Sequence, residues 1–316
     1  MSIADIWAAR PIVAEAALRT PLVRLAVEDA PAEIYLKLEN LQPIGSFKLR
    51  GAYHAIRSLP PEQIQGGVLT ASAGNMAQGA AYTARQLGVG CVVIAPDNAP
   101  VTKIRAIERL GGRVELVSRE RWWQTFQDRS YPGLEDLTFV HAFDDDRVIA
   151  GNGTIGLEIL EDLPDVDAIV VPFGGGGLAS GIATAVRALR PTTRVYAAEV
   201  ATAAPLSASL ARGAIARIEY QASFVDGIGS ATVFPRMWDL ARSLLDGALV
   251  ASVAEAEAAL RLVAERRRVI IEGAAACAVA VALAGRAGGG KVACVISGGN
   301  IDARTLAAIL DPPQAE

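Results

Sequence analysis

A lysine amine acts as a nucleophile or a base only after it sheds its proton, and one lysine of this chain stands in a segment suited to that. It is Lys48, in Gly45-Ser46-Phe47-Lys48-Leu49-Arg50-Gly51, which follows a strand candidate and the turn LQPIG. Ser46 is expected to cap a helix that carries Lys48 in its first turn. Burial near a helix N-terminus disfavours the cationic amine. Such an amine suits a Schiff base with an aldehyde cofactor. A solvated first-turn lysine shows the same local pattern, so the segment alone leaves both readings open.

A second feature is suited to binding an anion, or is no more than a flexible or closely packed turn. The apolar run Val170-Val171-Pro172-Phe173 enters four glycines, Gly174, Gly175, Gly176 and Gly177, and then Leu178 opens a helical stretch. Consecutive glycines let backbone N–H groups converge on a phosphate, and the helix N-terminus adds favourable charge. No Lys-Ser/Thr pair follows, which excludes a Walker A nucleotide loop. Gly174, Gly176 and Ala179 also satisfy the spacing of a dinucleotide fold, with Glu199 ending the next strand as a ribose ligand. That rival, a nicotinamide-dependent dehydrogenase, would need His54 or His141 as its proton carrier.

Two further loops end strand candidates. Thr70-Ala71-Ser72-Ala73-Gly74-Asn75-Met76-Ala77-Gln78-Gly79 offers small residues, free amides and one amide side chain. It can clasp a carboxylate or the edge of an aromatic ring, or simply cap a helix. In Val295-Ile296-Ser297-Gly298-Gly299-Asn300 a hydroxyl can meet a heteroaromatic nitrogen while the glycines admit a planar ring; a polar cap on the last strand is the plainer account.

The elements that must position these loops alternate. Strands are predicted over 67–71, 91–95, 113–117, 138–141, 168–171, 194–198 and 292–296, with helices over 75–87, 101–110, 147–160, 178–189 and 253–267. This βα rhythm predicts open, mostly parallel sheets covered on both faces. EIYLKLE adds an alternating strand near the start. No repeat or flexible linker divides the chain, so two domains would arise from a chain that leaves one sheet and returns to it.

Bulk properties exclude other classes. The 316 residues carry 30 basic and 34 acidic side chains, a net charge of -4, with no long run of either sign. A nucleic-acid groove needs clustered Lys and Arg. Cys91, Cys277 and Cys294 are widely spaced in apolar surroundings and read as small buried hydrophobes, and two histidines supply a zinc site poorly. The N-terminal segment reads as a helix and not a signal peptide, and VIIEGAAACAVAVALAG is interrupted by Glu272 and Gly273 before it reaches membrane-spanning length. The expected setting is the cytoplasm, with no nucleic-acid or membrane partner.

Together, in chain order, these motifs resemble the pyridoxal-phosphate enzymes of the tryptophan synthase β fold (fold type II), in the serine/threonine dehydratase and serine racemase branch. The resemblance runs from Thr20-Pro21-Leu22 to Ser297-Gly298-Gly299-Asn300 and includes Ala150-Gly151-Asn152-Gly153-Thr154, similar to the family's AGQGT segment. It implies an α/β fold of two open, mostly parallel domains with pyridoxal 5'-phosphate in the cleft between them. The large domain would be 1–49 plus 141–316 and the small mobile one 50–140.

The resemblance also assigns roles. Lys48 would hold the cofactor aldehyde and then take the α-proton. Phe47 would pack beside the ring and Asn75 would bond its hydroxyl. Ser72, Ala73 and Gly74 would border the substrate carboxylate, Gly174, Gly175, Gly176, Gly177 and Leu178 would surround the phosphate, and Ser297 would meet the ring nitrogen. A neutral serine is expected to stabilise a protonated pyridine less than an aspartate would. The implied reaction is dehydration and deamination of a small 3-hydroxy amino acid, such as L-threonine or L-serine, by a homodimer. A non-catalytic small-molecule-binding protein and a racemase remain alternatives.

Departures from the family pattern are Met76, where a histidine is usual, and Glu272-Gly273 in place of Glu-Pro. Glu199 and the Ala203 carbonyl resemble two ligands of a divalent-cation site whose acidic partner is replaced by Pro205, so no metal is expected.

Overall fold

The computed structural model describes residues 1–311. In chain order the strands are β1 (Leu22–Leu25), β2 (Glu33–Leu38), β3 (Val68–Ala71), β4 (Cys91–Pro96), β5 (Arg113–Val117), β6 (Thr138–Phe139), β7 (Ala168–Pro172), β8 (Arg194–Val200), β9 (Gly247–Ala251) and β10 (Lys291–Ile296). They form two sheets in two α/β domains, one of Met1–Leu18 with Gln42–Thr154, the other of Arg19–Leu41 with the chain from Ile155 onward.

The second of these holds a six-stranded sheet of order β1-β2-β10-β7-β8-β9. All its neighbours run parallel except the antiparallel pair β1 and β2. The C-terminal strand β10 therefore lies inside the sheet, with Val292 opposite both Ile34 and Ala168. Every residue of β7 is buried, as covering both faces of a parallel sheet requires. Part of that cover is the helix Gly273–Leu283, apolar all round and buried over nearly its whole length. At 11 residues it is a core helix and no membrane span. Among the described residues no helix is long and apolar enough to cross a membrane.

One charged side chain enters this core from β2. Lys37 is fully buried, and its Nζ donates to the Thr20 carbonyl and meets Glu158 Oε2, each at 2.6 Å. The Thr20 hydroxyl in turn donates to Glu39 at 2.6 Å. Desolvated charges persist in a core only with this degree of pairing.

The other domain carries the fully parallel sheet β5-β4-β3-β6. Three of its helices lock around one another: Lys48–Arg57, Asn75–Leu87 and Asp146–Asp162. Their contacts are too close for side chains. A Cβ on Gly51 would lie 2.7 Å from Asn152 Oδ1, and one on Gly79 would lie 3.0 Å from the Ala52 Cβ. The fixed backbone of Lys48–Arg57 is tied further by Arg50, whose guanidinium reaches the Leu18 carbonyl at 3.0 Å and Thr154 Oγ1 at 3.2 Å.

Sequence and structure differ in places. β1, β9 and the helices Arg119–Asp128, Pro205–Arg212, Pro235–Leu244 and Gly273–Leu283 were not anticipated. β6 stops at Phe139 and not at His141, because the His141 ring accepts the amides of Phe143 and Asp144 and turns the chain. Packing groups Lys48–Arg57 and residues 141–154 with the four-stranded sheet.

Candidate active site

Lys48 is the first residue of its helix and is half-buried. Its Nζ donates to the Ala142 carbonyl at 2.7 Å and stands 5.2 Å from the centre of the buried Phe47 ring. The expected Ser46 cap is not formed. Phe47 already has helical backbone angles, so the Ser46 carbonyl, and not its hydroxyl, faces the Leu49 amide. The Ser46 hydroxyl is instead buried without a hydrogen-bond partner, two residues from the amine.

The Ser72–Asn75 loop leaves β3 and enters Asn75–Leu87, which packs so close to the Lys48 backbone that a Cβ on Gly79 would lie 3.2 Å from the Lys48 carbonyl oxygen. Ser72 Oγ accepts the Gly74 amide at 3.2 Å and so sets the turn. A Cβ on Gly74 would meet nothing within 4 Å, so the loop is open on that side. Ser72, Ala73, Gly74 and Asn75 are all half-buried, whereas Met76 is buried. On the Asp146–Asp162 helix, Asn152, which stands where the family segment has Gln, has both amide atoms buried and unpartnered.

In the six-stranded domain, Gly174 to Leu178 join β7 to the helix Gly177–Leu189. Gly176 is its N-cap with φ +91°, a left-handed backbone that favours glycine. A side chain there would strike the Phe173 ring at 2.9 Å and Met237 at 3.3 Å, so the glycine serves backbone geometry and packing beneath the loop. Gly174 packs on the turn Asp226–Ile228, with its Cβ position 3.2 Å from the Gly227 carbonyl. A Cβ on Gly227 would in turn lie 3.7 Å from Glu272 Oε1. Glu272 accepts the Ser297 hydroxyl at 3.2 Å. The turn thus links the glycine loop to the end of β10. Its only sequence signal was the Gly-containing run Asp226-Gly227-Ile228-Gly229.

The remaining candidates serve the structure. His54 Nδ1 is bonded to the Arg147 carbonyl at 2.7 Å. His141 is pushed down to about 4, first by burial and then by the Arg129 cation. Glu199 is fully buried, and its two oxygens accept the amides of Leu206 and Ser207, both at 2.8 Å, at the start of the helix Pro205–Arg212. Burial raises it to about 7 against those hydrogen bonds. Both oxygens thus help fix the start of that helix. All three cysteines are free and buried; burial pushes Cys91 and Cys277 up to about 12 and raises Cys294 as well.

A family model described as pyridoxal-phosphate dependent enzyme matches residues 13–298. This chain belongs to that family. Among its relatives, an L-threonine ammonia-lyase of Thermotoga maritima is 39% identical over 98% of this chain and 78% of its own length. A catabolic L-threonine dehydratase of Staphylococcus aureus is 33% identical over 98% of this chain and 92% of its own. Maize serine racemase superposes with a TM-score of 0.89 at 31% identity, covering 97% of this chain and 95% of its own. The cofactor of this family member is pyridoxal 5'-phosphate.

The residues present fit that group. The unpartnered Ser46 hydroxyl beside Lys48, a glycine loop at a helix N-terminus and a serine at a buried strand end are the donor set an aldehyde, a phosphate and a pyridine call for. The dehydrogenase reading loses its support, because Glu199 and both histidines are committed to the backbone.

Proposed function

We propose that this enzyme removes water from a small 3-hydroxy amino acid of the L-threonine or L-serine type and releases a 2-oxo acid and ammonia. The observation that carries the reading is the similarity, over 98% of the chain, to a protein named L-threonine ammonia-lyase. Pyridoxal phosphate supplies the electron sink that loosens the proton on the substrate α-carbon.

The chain does the rest. Lys48 is the residue that holds the cofactor and, once displaced by the substrate amine, takes the α-proton. The Ala142 carbonyl, 2.7 Å from its Nζ, orients that amine. Ser72, Ala73 and Gly74 receive the substrate carboxylate, Phe47 and Asn75 border the ring and its hydroxyl, Gly174 to Leu178 hold the phosphate, and Ser297 faces the ring nitrogen. The released enamine hydrolyses in water to the oxo acid. Residues 50–140 are proposed as the part that moves on substrate binding, and a cytoplasmic homodimer as the working form; the resemblance supports both.

The test is a panel of 3-hydroxy amino acids with oxo-acid and ammonia detection, run beside borohydride trapping of the cofactor. L-Threonine or L-serine turnover with the label on Lys48, both lost in Lys48→Ala, is the expected result. No turnover of any member, or trapping at another lysine, would overturn the reading.

A further inference from the structure

The Ala142 carbonyl that receives Lys48 Nζ belongs to a peptide unit held at both ends. Its other end is the Phe143 N–H, which donates to His141 Nδ1 at 3.2 Å, and the Asp144 N–H joins it there at 2.8 Å. No cis bond occurs among the described residues, and a planar trans peptide points its carbonyl away from its own N–H. Turning the Phe143 N–H toward His141 therefore turns the Ala142 oxygen the other way, onto the amine at 2.7 Å.

The surroundings hold His141 to this use. Its ring is buried, tilted against Phe126 with centroids 4.4 Å apart and set edge-on to Phe143 at 4.7 Å. The chain before it is pinned to β3: the Val140 amide donates to the Leu69 carbonyl at 2.8 Å, and the Thr70 hydroxyl donates to the Val140 carbonyl at 2.9 Å. After it, Asp144 pairs with Arg129 at 2.6 Å. Two backbone donors on one ring nitrogen make it the bare, accepting nitrogen of a neutral imidazole, with the ring proton on Nε2. Burial and the Arg129 cation, opposed by Asp144, push the ring down to about 4, so it is uncharged at neutral pH.

We propose that His141 is a positioning residue that acts through the peptide between Ala142 and Phe143 to hold the Lys48 amine in place once the substrate has displaced it. This rests on Lys48 being the base, as in the reading above. His141 takes no proton from the substrate; it aims a carbonyl. A free lysine amine rides on a flexible stem, and a misplacement of about 1 Å at the reacting atoms costs about 10²-fold in rate.

Two substitutions separate the accepting nitrogen from the ring. His141→Phe keeps the aromatic packing and removes the acceptor. His141→Asn gives up the ring and restores an acceptor, Oδ1, on a side chain that bonds amides two and three residues on. In cofactor-free protein, nuclear magnetic relaxation at Lys48 Cε and hydrogen exchange at the Phe143 and Asp144 amides read the tether without turnover. Wild type and His141→Asn are expected to show an ordered Cε and protected amides, and His141→Phe a mobile Cε and exchanging amides. In the loaded enzyme His141→Phe should lose about 10²-fold in kcat with KM within about twofold, and His141→Asn should recover most of that loss. Freely exchanging amides in wild type, or a proton on His141 Nδ1 read from the ring 15N shift, overturn the proposal whether or not either variant folds. An ordered Lys48 Cε or undiminished kcat in His141→Phe also overturns it, as does an equal loss in both variants. A tether intact by relaxation beside cofactor trapped on another lysine refutes the reading on which the proposal rests, and with it the role of His141.

Discussion

Replacing Gly176 by alanine tests the glycine loop where its geometry is most demanding. The residue has φ +91°, and a left-handed backbone costs an L-residue about 1–2 kcal/mol. The new methyl would sit 2.9 Å from Phe173 Cζ and 3.0 Å from Cε2, closer than carbon atoms pack. Phe173 is 1% exposed, so its ring cannot swing into solvent. Overpacking of a buried site of this kind costs about 1–3 kcal/mol. Strain and overpacking together put the loss at about 2–5 kcal/mol, a large share of a domain's usual stability. Urea unfolding of the cofactor-free protein, with hydrogen exchange over Gly177–Leu189, reads it directly. Gly74→Ala is the control, because its Cβ meets nothing within 4 Å; its stability should change by less than about 0.5 kcal/mol. A Gly176→Ala protein as stable as that control would refute the argument from Phe173.

Other perturbations follow from features already described. Lys37→Met removes the cation that faces Glu158 in the core and should cost about 3–5 kcal/mol in urea unfolding, with Lys37→Met/Glu158→Leu recovering much of it; equal losses in both proteins would contradict this. His141, held near 4 against an ordinary 6.5, leaves the native state short of a proton between those values. Its contribution is intact above pH 6.5 and lost as the pH falls toward 4, up to about 3 kcal/mol; His141→Asn should flatten that part of the stability profile, and an unaltered slope would count against it. With L-serine, pyruvate should form faster than D-serine: the family resemblance puts Ala73 where racemases carry a serine on the face opposite Lys48, and a methyl group can neither give nor take a proton; chiral analysis showing equal rates would move the assignment toward a racemase. Magnesium or calcium added to chelator-treated protein should leave activity unchanged, because Pro205 stands where an acidic partner of Glu199 would be needed to complete an oxygen-rich shell; a saturable rise would disprove that.

The parts of this molecule that repeat a simple rule were legible in its sequence. Helical periodicity located the helices Asn75–Leu87 and Val253–Arg267 to the residue. Apolar runs located β4, β5, β7, β8 and β10 to within two residues. β9 escaped because Gly247–Ala251 is short, mostly half-buried and made largely of Gly and Ala, which carry no strand preference. Gly273–Leu283 escaped because a helix buried on all sides has no amphipathic period. At the site, motif residues were visible one by one, but their directions were not. Ser46 looked like a cap until the helical angles of Phe47 left its hydroxyl unused. Glu272 showed only as half of an altered dipeptide, since its contact with Ser297 joins residues 25 apart. Gly273, next to it, stands where a Cβ would meet Val225 at 2.9 Å, a constraint set by a loop distant in sequence.

The place of β10 bears on how the chain is made. The four-stranded sheet draws only on residues from Val68 to Phe139, so all its pairings are available before half the chain has left the ribosome. The six-stranded sheet cannot close in that order: β2 and β7 wait on either side of a gap that only Lys291–Ile296 fills. Until then both present unpaired, apolar edges, the condition in which nascent chains aggregate or recruit chaperones. A ribosome that stalls a few dozen codons early would therefore release a chain with one finished sheet and one split down the middle.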